Sequence, residues 1–169
     1  MKTLLILRHG KSSWKEAGLA DHERPLKGRG ERDAVEVGRR LAELGLVPEL
    51  VVSSTARRAR ATAMLAARAS GCSQEVVPAR ELYAASAQAV ICVISTVPAG
   101  SERVMVVGHN PGLEEVLEVL TGEARRLPTA CVACVELPVD TWLEVQPGVV
   151  GRLLWTWRPG DQGGEAEVR

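Results

Sequence analysis

Two histidines in this chain stand at the ends of apolar runs, where a buried strand gives way to polar residues. Leu4-Leu5-Ile6-Leu7 stops at Arg8-His9-Gly10, and Val104-Met105-Val106-Val107 stops at Gly108-His109-Asn110. A third run, Leu50-Val51-Val52-Ser53, leads into Ser54-Thr55-Ala56-Arg57-Arg58. A neutral imidazole is a competent nucleophile toward phosphorus, and guanidinium groups offer forks of donors that match phosphate oxygens two at a time. A phosphoryl group in transfer spreads negative charge over three equatorial oxygens, so several cations or N–H donors must surround one point. In that chemistry His9 attacks, Arg8 and Arg58 hold the group, and a protonated His109 supplies further positive charge. No carboxylate pattern suited to a metal accompanies these residues, so arginine and histidine stand in place of magnesium. Neither a metal nor another cofactor is expected. Taken singly, His9 reads as a hydrogen-bonded core histidine and His109 as a cap before Pro111; their shared placement at strand ends favours chemistry.

These groups meet only if their strands are parallel. Ala34, Val37, Leu41 and Leu44 recur at helical spacing, predicting a helix from about Gly28 to Leu44 that Gly45 closes. Ser54 or Thr55 can cap a second helix running to about Ala69, whose alanines suit close packing on a sheet. A short extended piece near Val76 leads through Glu81-Leu82-Tyr83 to a helix over roughly Ala87 to Thr96. Arg103 to His109 is the third buried strand, and Pro111 fits the first turn of a helix ending near Leu120. Strands near Ala130 to Leu137 and Val150 to Trp157 finish the sheet. This alternation predicts an α/β fold, a three-layer α/β/α sandwich with a largely parallel central sheet. Open sheets of this kind bind ligands outside the carboxyl ends of their strands, which is where the three polar groups fall. One domain is expected over residues 1–158. Residues 159–169 lack apolar periodicity and read as a flexible C-terminal tail.

Composition narrows the partners. The 169 residues are 46% hydrophobic, and Lys plus Arg and Asp plus Glu each total 21, so net charge favours neither nucleic acid nor a membrane surface. No apolar run approaches the roughly 20 residues of a membrane span, and Met1-Lys2-Thr3 passes straight into a strand with no signal-peptide pattern. A cytoplasmic protein is expected. Cys131 and Cys134 make a lone CxxC inside a strand-like run, best read as buried thiols acting as small hydrophobes.

Three ordered segments, Leu7-Arg8-His9-Gly10, Ser54-Thr55-Ala56-Arg57-Arg58-Ala59-Arg60-Ala61-Thr62 and Val107-Gly108-His109-Asn110-Pro111-Gly112, resemble the histidine phosphatase superfamily, also called phosphoglycerate mutase-like. The spacing of Asp21, Arg24-Pro25-Leu26 and Arg29-Gly30, in a short chain without a large cap insertion, is similar to its small phosphohistidine phosphatase branch, the SixA type. The resemblance runs from residue 3 to about residue 137. It implies a transiently phosphorylated His9, a phosphate pocket lined by Arg8, Arg58 and His109, and hydrolysis of the phosphoenzyme by water. The family pattern follows its pocket arginine with Ala-x-x-Thr, which selects Arg58 over Arg57 and Arg60. Gly10 shapes the phosphate's approach, and Ser12, with Lys11 and Ser13, is a candidate donor to it.

Glu81 falls where members acting on phosphate esters carry an acid, and it is the candidate proton donor; a solvated carboxylate beside a helix is the other reading. Asn110 binds phosphate or caps the following helix, the cap being favoured. Asp21 and Arg24 are expected to hold the long loop, His22 to be a loop residue, and Trp14 to pack beneath the loop or to meet a partner. The implied activity is a metal-independent phosphohistidine phosphatase acting on a phosphohistidine-containing protein. The alternatives are a phosphatase or mutase for small phosphate esters and an idle phosphate- or phosphoprotein-binding module.

Overall fold

In the computed structural model, which describes residues 1–161, six strands form one sheet. In chain order the elements are β1 (Lys2–Arg8), α1 (Gly28–Glu43), β2 (Leu50–Ser53), α2 (Arg57–Ser70), β3 (Val77–Pro78), α3 (Ala87–Ser95), β4 (Arg103–Gly108), α4 (Gly112–Thr121), β5 (Val132–Leu137) and β6 (Arg152–Trp157). The sheet order is β3-β2-β4-β1-β5-β6. β1 pairs in parallel with β4, β4 with β2, and β2 with β3, so the ends of β1, β2 and β4 lie side by side on one edge.

Alternation of side chains explains the layers. Leu4 and Ile6 of β1, with Val104 and Val106 of β4, face a core completed by Val90, Ile91 and Ile94 of α3 and Leu113, Val116 and Leu117 of α4. Leu5 and Leu7, with Met105 and Val107, face the opposite core with Val37 and Leu41 of α1 and Ala59, Ala63 and Ala66 of α2. Both faces of β1 are therefore dry, as an aliphatic run without polar interruption requires. On the α1–α2 side the backbones nearly touch. A Cβ at Gly38 would stand 2.3 Å from the Ala66 carbonyl oxygen.

β5 departs from the parallel pattern. α4 carries the chain back to the amino end of the sheet, and residues 122–131 then return to the carboxyl edge without forming a helix or strand. β5 consequently starts beside the end of β1, pairing Val132 with Leu7, and runs antiparallel to it; β6 runs antiparallel to β5. Cys131 and Cys134 are free, buried thiols in the two opposite cores. Burial pushes their pKa values up, to about 11 and about 12. Of the tail expected over 159–169, residues 162–169 lie outside the described residues. Among the described residues no helix is long and apolar enough to cross a membrane.

Candidate active site

His9 is the floor of the site. Its N–H donates to the Gly108 carbonyl at 3.1 Å and its own carbonyl accepts from the Ala130 N–H at 3.0 Å, fixing it between β4 and the approach to β5. Ala130 takes a φ of 58° to make that contact, a left-handed conformation that is costly for a residue with a Cβ. The His9 ring is 7% exposed, and its Nδ1 lies 2.7 Å from the Gly10 carbonyl oxygen. A carbonyl only accepts, so Nδ1 carries the ring proton and Nε2 keeps its lone pair. Burial is the largest influence on this ring, and the positive charges of Arg58, Arg8 and Arg24 add to it against the Gly10 hydrogen bond, lowering its pKa to about 4. At neutral pH the His9 ring is uncharged.

Gly10, which supplies that carbonyl, is itself gripped. Its N–H donates to Thr62 Oγ1 at 3.0 Å, and the Thr62 hydroxyl donates to the Arg58 carbonyl at 2.7 Å. A Cβ at Gly10 would meet the Gly30 carbonyl oxygen at 2.7 Å, so only glycine fits between β1 and the start of α1.

Arg58 sits in the first turn of α2 and is 6% exposed, whereas Arg57 and Arg60 point to solvent. One turn of helix thus buries one arginine of three, in agreement with the register of the Ala-x-x-Thr pattern. Its Nη1 donates to the Asp21 carbonyl at 2.6 Å and its Nη2 to Asp21 Oδ2 at 2.9 Å. Asp21 also accepts from the Tyr83 hydroxyl at 2.6 Å and from Arg24 Nη1 at 3.0 Å. These donors, Tyr83 first, hold the Asp21 carboxyl far below the usual carboxylate range. Arg24 in turn donates to Ser12 Oγ at 2.6 Å and to the Ser13 carbonyl at 3.2 Å, and its guanidinium lies 3.2 Å over the exposed Trp14 ring. Asp21 and Arg24 do hold the long loop, as expected, and Asp21 ties that loop to Arg58 as well. Ser12, a candidate phosphate donor, accepts from Arg24.

Arg8 reaches the other side, donating from Nη1 to the Leu127 carbonyl at 3.1 Å. That carbonyl also accepts from Asn110 Nδ2 at 2.8 Å, and Asn110 Nδ2 donates to Glu114 Oε1 at 2.9 Å. Asn110 therefore ties α4 to the 122–131 connection in place of the helix cap expected of it, and Pro111 occupies the cap position behind a cis Asn110–Pro111 bond.

His109 faces His9 with ring centroids 5.1 Å apart. Its Nε2 is 2.8 Å from Ser54 Oγ, while His22 Nε2 is 2.9 Å from Thr55 Oγ1. Of the two hydroxyls expected to cap α2, Ser54 Oγ meets His109 while also accepting from the Ala56 N–H at 3.2 Å, and Thr55 Oγ1 meets His22; the N-cap residue of α2 is Ala56. Burial first, then His9 and Arg58, lowers the His109 pKa to about 3. The positive charge expected on His109 is therefore absent at neutral pH until an anion offsets those neighbours. Among the described residues, His109 Nδ1, Arg8 Nε and Arg58 Nε are buried without hydrogen-bond partners. Such groups are costly unless something satisfies them.

The structure thus brings Arg8, His9, Gly10, Arg58 and His109 to one edge of the sheet. Glu81 is not among them. It is exposed on the 3-10 turn Arg80–Leu82, on the wall of an apolar groove of about 670 Å³ shared with Val77, Ala89 and Val93, and it makes no hydrogen bond or ion pair among the described residues. Sequence reasoning missed the part played by Tyr83, whose ring stands edge-on to His109 at 5.5 Å and to His22 at 4.9 Å. It is the single tyrosine of the chain, the one cue available beforehand. Among the described residues no cluster of three or more His, Cys, Asp or Glu side chains is arranged to hold a metal ion.

Comparison with known proteins bears on the family and the fold. The model of the histidine phosphatase superfamily (branch 1) matches residues 4–84. An uncharacterized chloroplastic protein of Arabidopsis thaliana is 34% identical over 154 residues, covering 85% of this chain and 70% of its own length. Among solved structures, a candidate phosphohistidine phosphatase SixA from Agrobacterium tumefaciens superposes with a TM-score of 0.79 at 28% identity, over 94% of this chain and 98% of that one. A second candidate SixA, from Nakamurella multipartitia, has a TM-score of 0.81 at 24% identity, over 95% and 97%. The fold is accordingly the phosphoglycerate mutase-like one, and the chain belongs to the histidine phosphatase superfamily, in its branch 1.

Proposed function

We propose that this chain is a metal-independent phosphohistidine phosphatase that removes phosphate from a protein through a phospho-His9 intermediate. The observation that carries the reading is the Nδ1–Gly10 hydrogen bond of a buried, uncharged His9, which leaves the Nε2 lone pair free beside Arg8, Arg58 and His109. The guanidinium charges of Arg58 and Arg8 acting on His9 support it, because charged forks of donors match phosphoryl oxygens.

In the first step His9 Nε2 bonds to phosphorus as the bond from phosphorus to the substrate nitrogen breaks. A phosphohistidine ring protonated on its second nitrogen takes the electron pair of that bond and leaves as neutral imidazole. Water then attacks phosphorus, the bond to His9 Nε2 breaks, and inorganic phosphate departs with His9 restored. An alkoxide leaving group wants a strong proton donor; imidazole does not. The outward position of Glu81 fits the easier leaving group. Short connections from β2 to α2 and from β4 to α4, residues 54–56 and 109–111, leave the crevice open in a way that suits a protein surface. The SixA-like structural neighbours point to the same substrate class.

The deciding experiment is turnover of a phosphohistidine protein beside a panel of phosphate esters, with His9→Ala as control. The expected result is preference for the phosphohistidine protein, acid-labile phosphate on the wild-type chain, and neither turnover nor label in His9→Ala with the fold intact. Activity in His9→Ala refutes the nucleophile. Preference for an ester refutes the substrate, and binding without turnover identifies an idle phosphate-binding module.

A further inference from the structure

We infer that Tyr83, backed by His22, forms the leaving-group subsite and selects a flat heteroaromatic ring, such as imidazole, over a leaving group without one. The inference rests on the phosphohistidine reading and assigns the part of the site that reading leaves open. His9 lies at the floor of the crevice, nearly buried. In-line displacement sets the departing atom on the far side of phosphorus from His9 Nε2, toward the mouth.

Tyr83 and His22 occupy one wall there, each half-buried. The rings form a continuous series from floor to mouth: His9 to His109 at 5.1 Å, His109 to Tyr83 at 5.5 Å and 80°, Tyr83 to His22 at 4.9 Å and 86°. Edge-to-face contacts at these separations are the favourable arrangement for rings, and a further ring can extend the series. The wall is also held rigid. Asp21 fixes the Tyr83 hydroxyl at 2.6 Å, and His22 is held through Thr55 at 2.9 Å and Glu23 at 3.0 Å. With its hydroxyl committed to Asp21, Tyr83 offers the substrate its ring alone.

The test compares kcat/KM for phosphoimidazole with that for phosphoramidate, which share a phosphorus–nitrogen bond and differ in the ring. The ratio of the two is measured in the wild type, Tyr83→Phe and Tyr83→Leu. Both variants lose the Asp21 hydrogen bond, and any harm done through Arg58 falls on both substrates and cancels in the ratio. The ratio is expected to fall about 5-fold in Tyr83→Leu and to stay within about twofold in Tyr83→Phe. An unchanged ratio in Tyr83→Leu, or the same fall in Tyr83→Phe, overturns the subsite alone. A wild type that hydrolyses neither compound overturns the subsite, and one inactive on a phosphohistidine protein as well overturns the phosphohistidine reading with it.

Discussion

Replacing Thr62 with valine removes one hydroxyl from a fully buried position and leaves the side-chain shape nearly unchanged. The Arg58 carbonyl loses the hydroxyl proton but keeps its ordinary helical partner within α2. Gly10 fares worse, because its N–H loses Thr62 Oγ1 and is left buried without an acceptor. An orphaned buried donor costs about 1–3 kcal/mol, and a chain of this size loses about 2–4 °C in Tm per kcal/mol. The catalytic effect is separate. Gly10 carries the carbonyl that holds the His9 proton on Nδ1, so a Gly10 that shifts also loosens the orientation of Nε2. A misplacement of this kind costs on the order of 10- to 100-fold in kcat. Urea melts and steady-state turnover of Thr62→Val and Thr62→Ser separate the two effects. Serine keeps the hydroxyl and is expected to restore kcat to within about 3-fold, while losing about 0.8 kcal/mol for the missing methyl. Wild-type kcat in Thr62→Val would show that Thr62 supports the fold and not the nucleophile. Equal damage from serine and valine would show that keeping the hydroxyl does not protect the site, which refutes the hydrogen-bond argument.

Arg58→Ala is expected to weaken vanadate binding by about 10- to 100-fold, because a charged donor to the anion is lost, while the exposed Arg57→Ala stays within about twofold; inhibition constants in the reverse order refute the register. His9 and His109, lowered to about 4 and about 3, should both remain uncharged at about pH 5.5 by nitrogen NMR, and a midpoint near 6.5 for either contradicts the burial argument. The unfolded chain binds more protons than the folded one between the unfolded histidine value of 6.5 and about 4, so urea stability should fall as pH drops through that window. Glu81→Gln should leave phosphohistidine turnover within about twofold, and any slowing of an alkyl phosphate ester marks Glu81 as the acid for that leaving group; equal losses on both substrates would sink the leaving-group argument.

The local parts of this protein were legible from residue order. Uninterrupted aliphatic runs at residues 4–7 and 104–107 demand burial on both faces, and the polar groups that end them must emerge at a strand's carboxyl end. The same periodicity set the helices to within a few residues, because each needs only its own apolar stripe. Arg58 was separable from Arg57 and Arg60 by the motif around it, and a helix turns only one of three such neighbours inward.

What residue order left undecided depended on contacts between distant segments. The antiparallel course of β5 follows from where the 122–131 connection crosses, and no periodicity encodes that crossing. Ser54 and Thr55 carry the residue types of a helix cap, but Thr55 meets His22 and Ser54 is shared between His109 and the Ala56 N–H, one residue before α2 begins. Asp21 and Tyr83 are 62 residues apart, and only the closed loop joins them through one carboxylate to Arg58. The chain by itself points to His9 as the proposed nucleophile and to the arginines around it. Tertiary packing alone fixes the His9 proton on Nδ1, holds both histidines uncharged and builds the aromatic wall, because each of these depends on burial and on partners that sequence order does not place side by side.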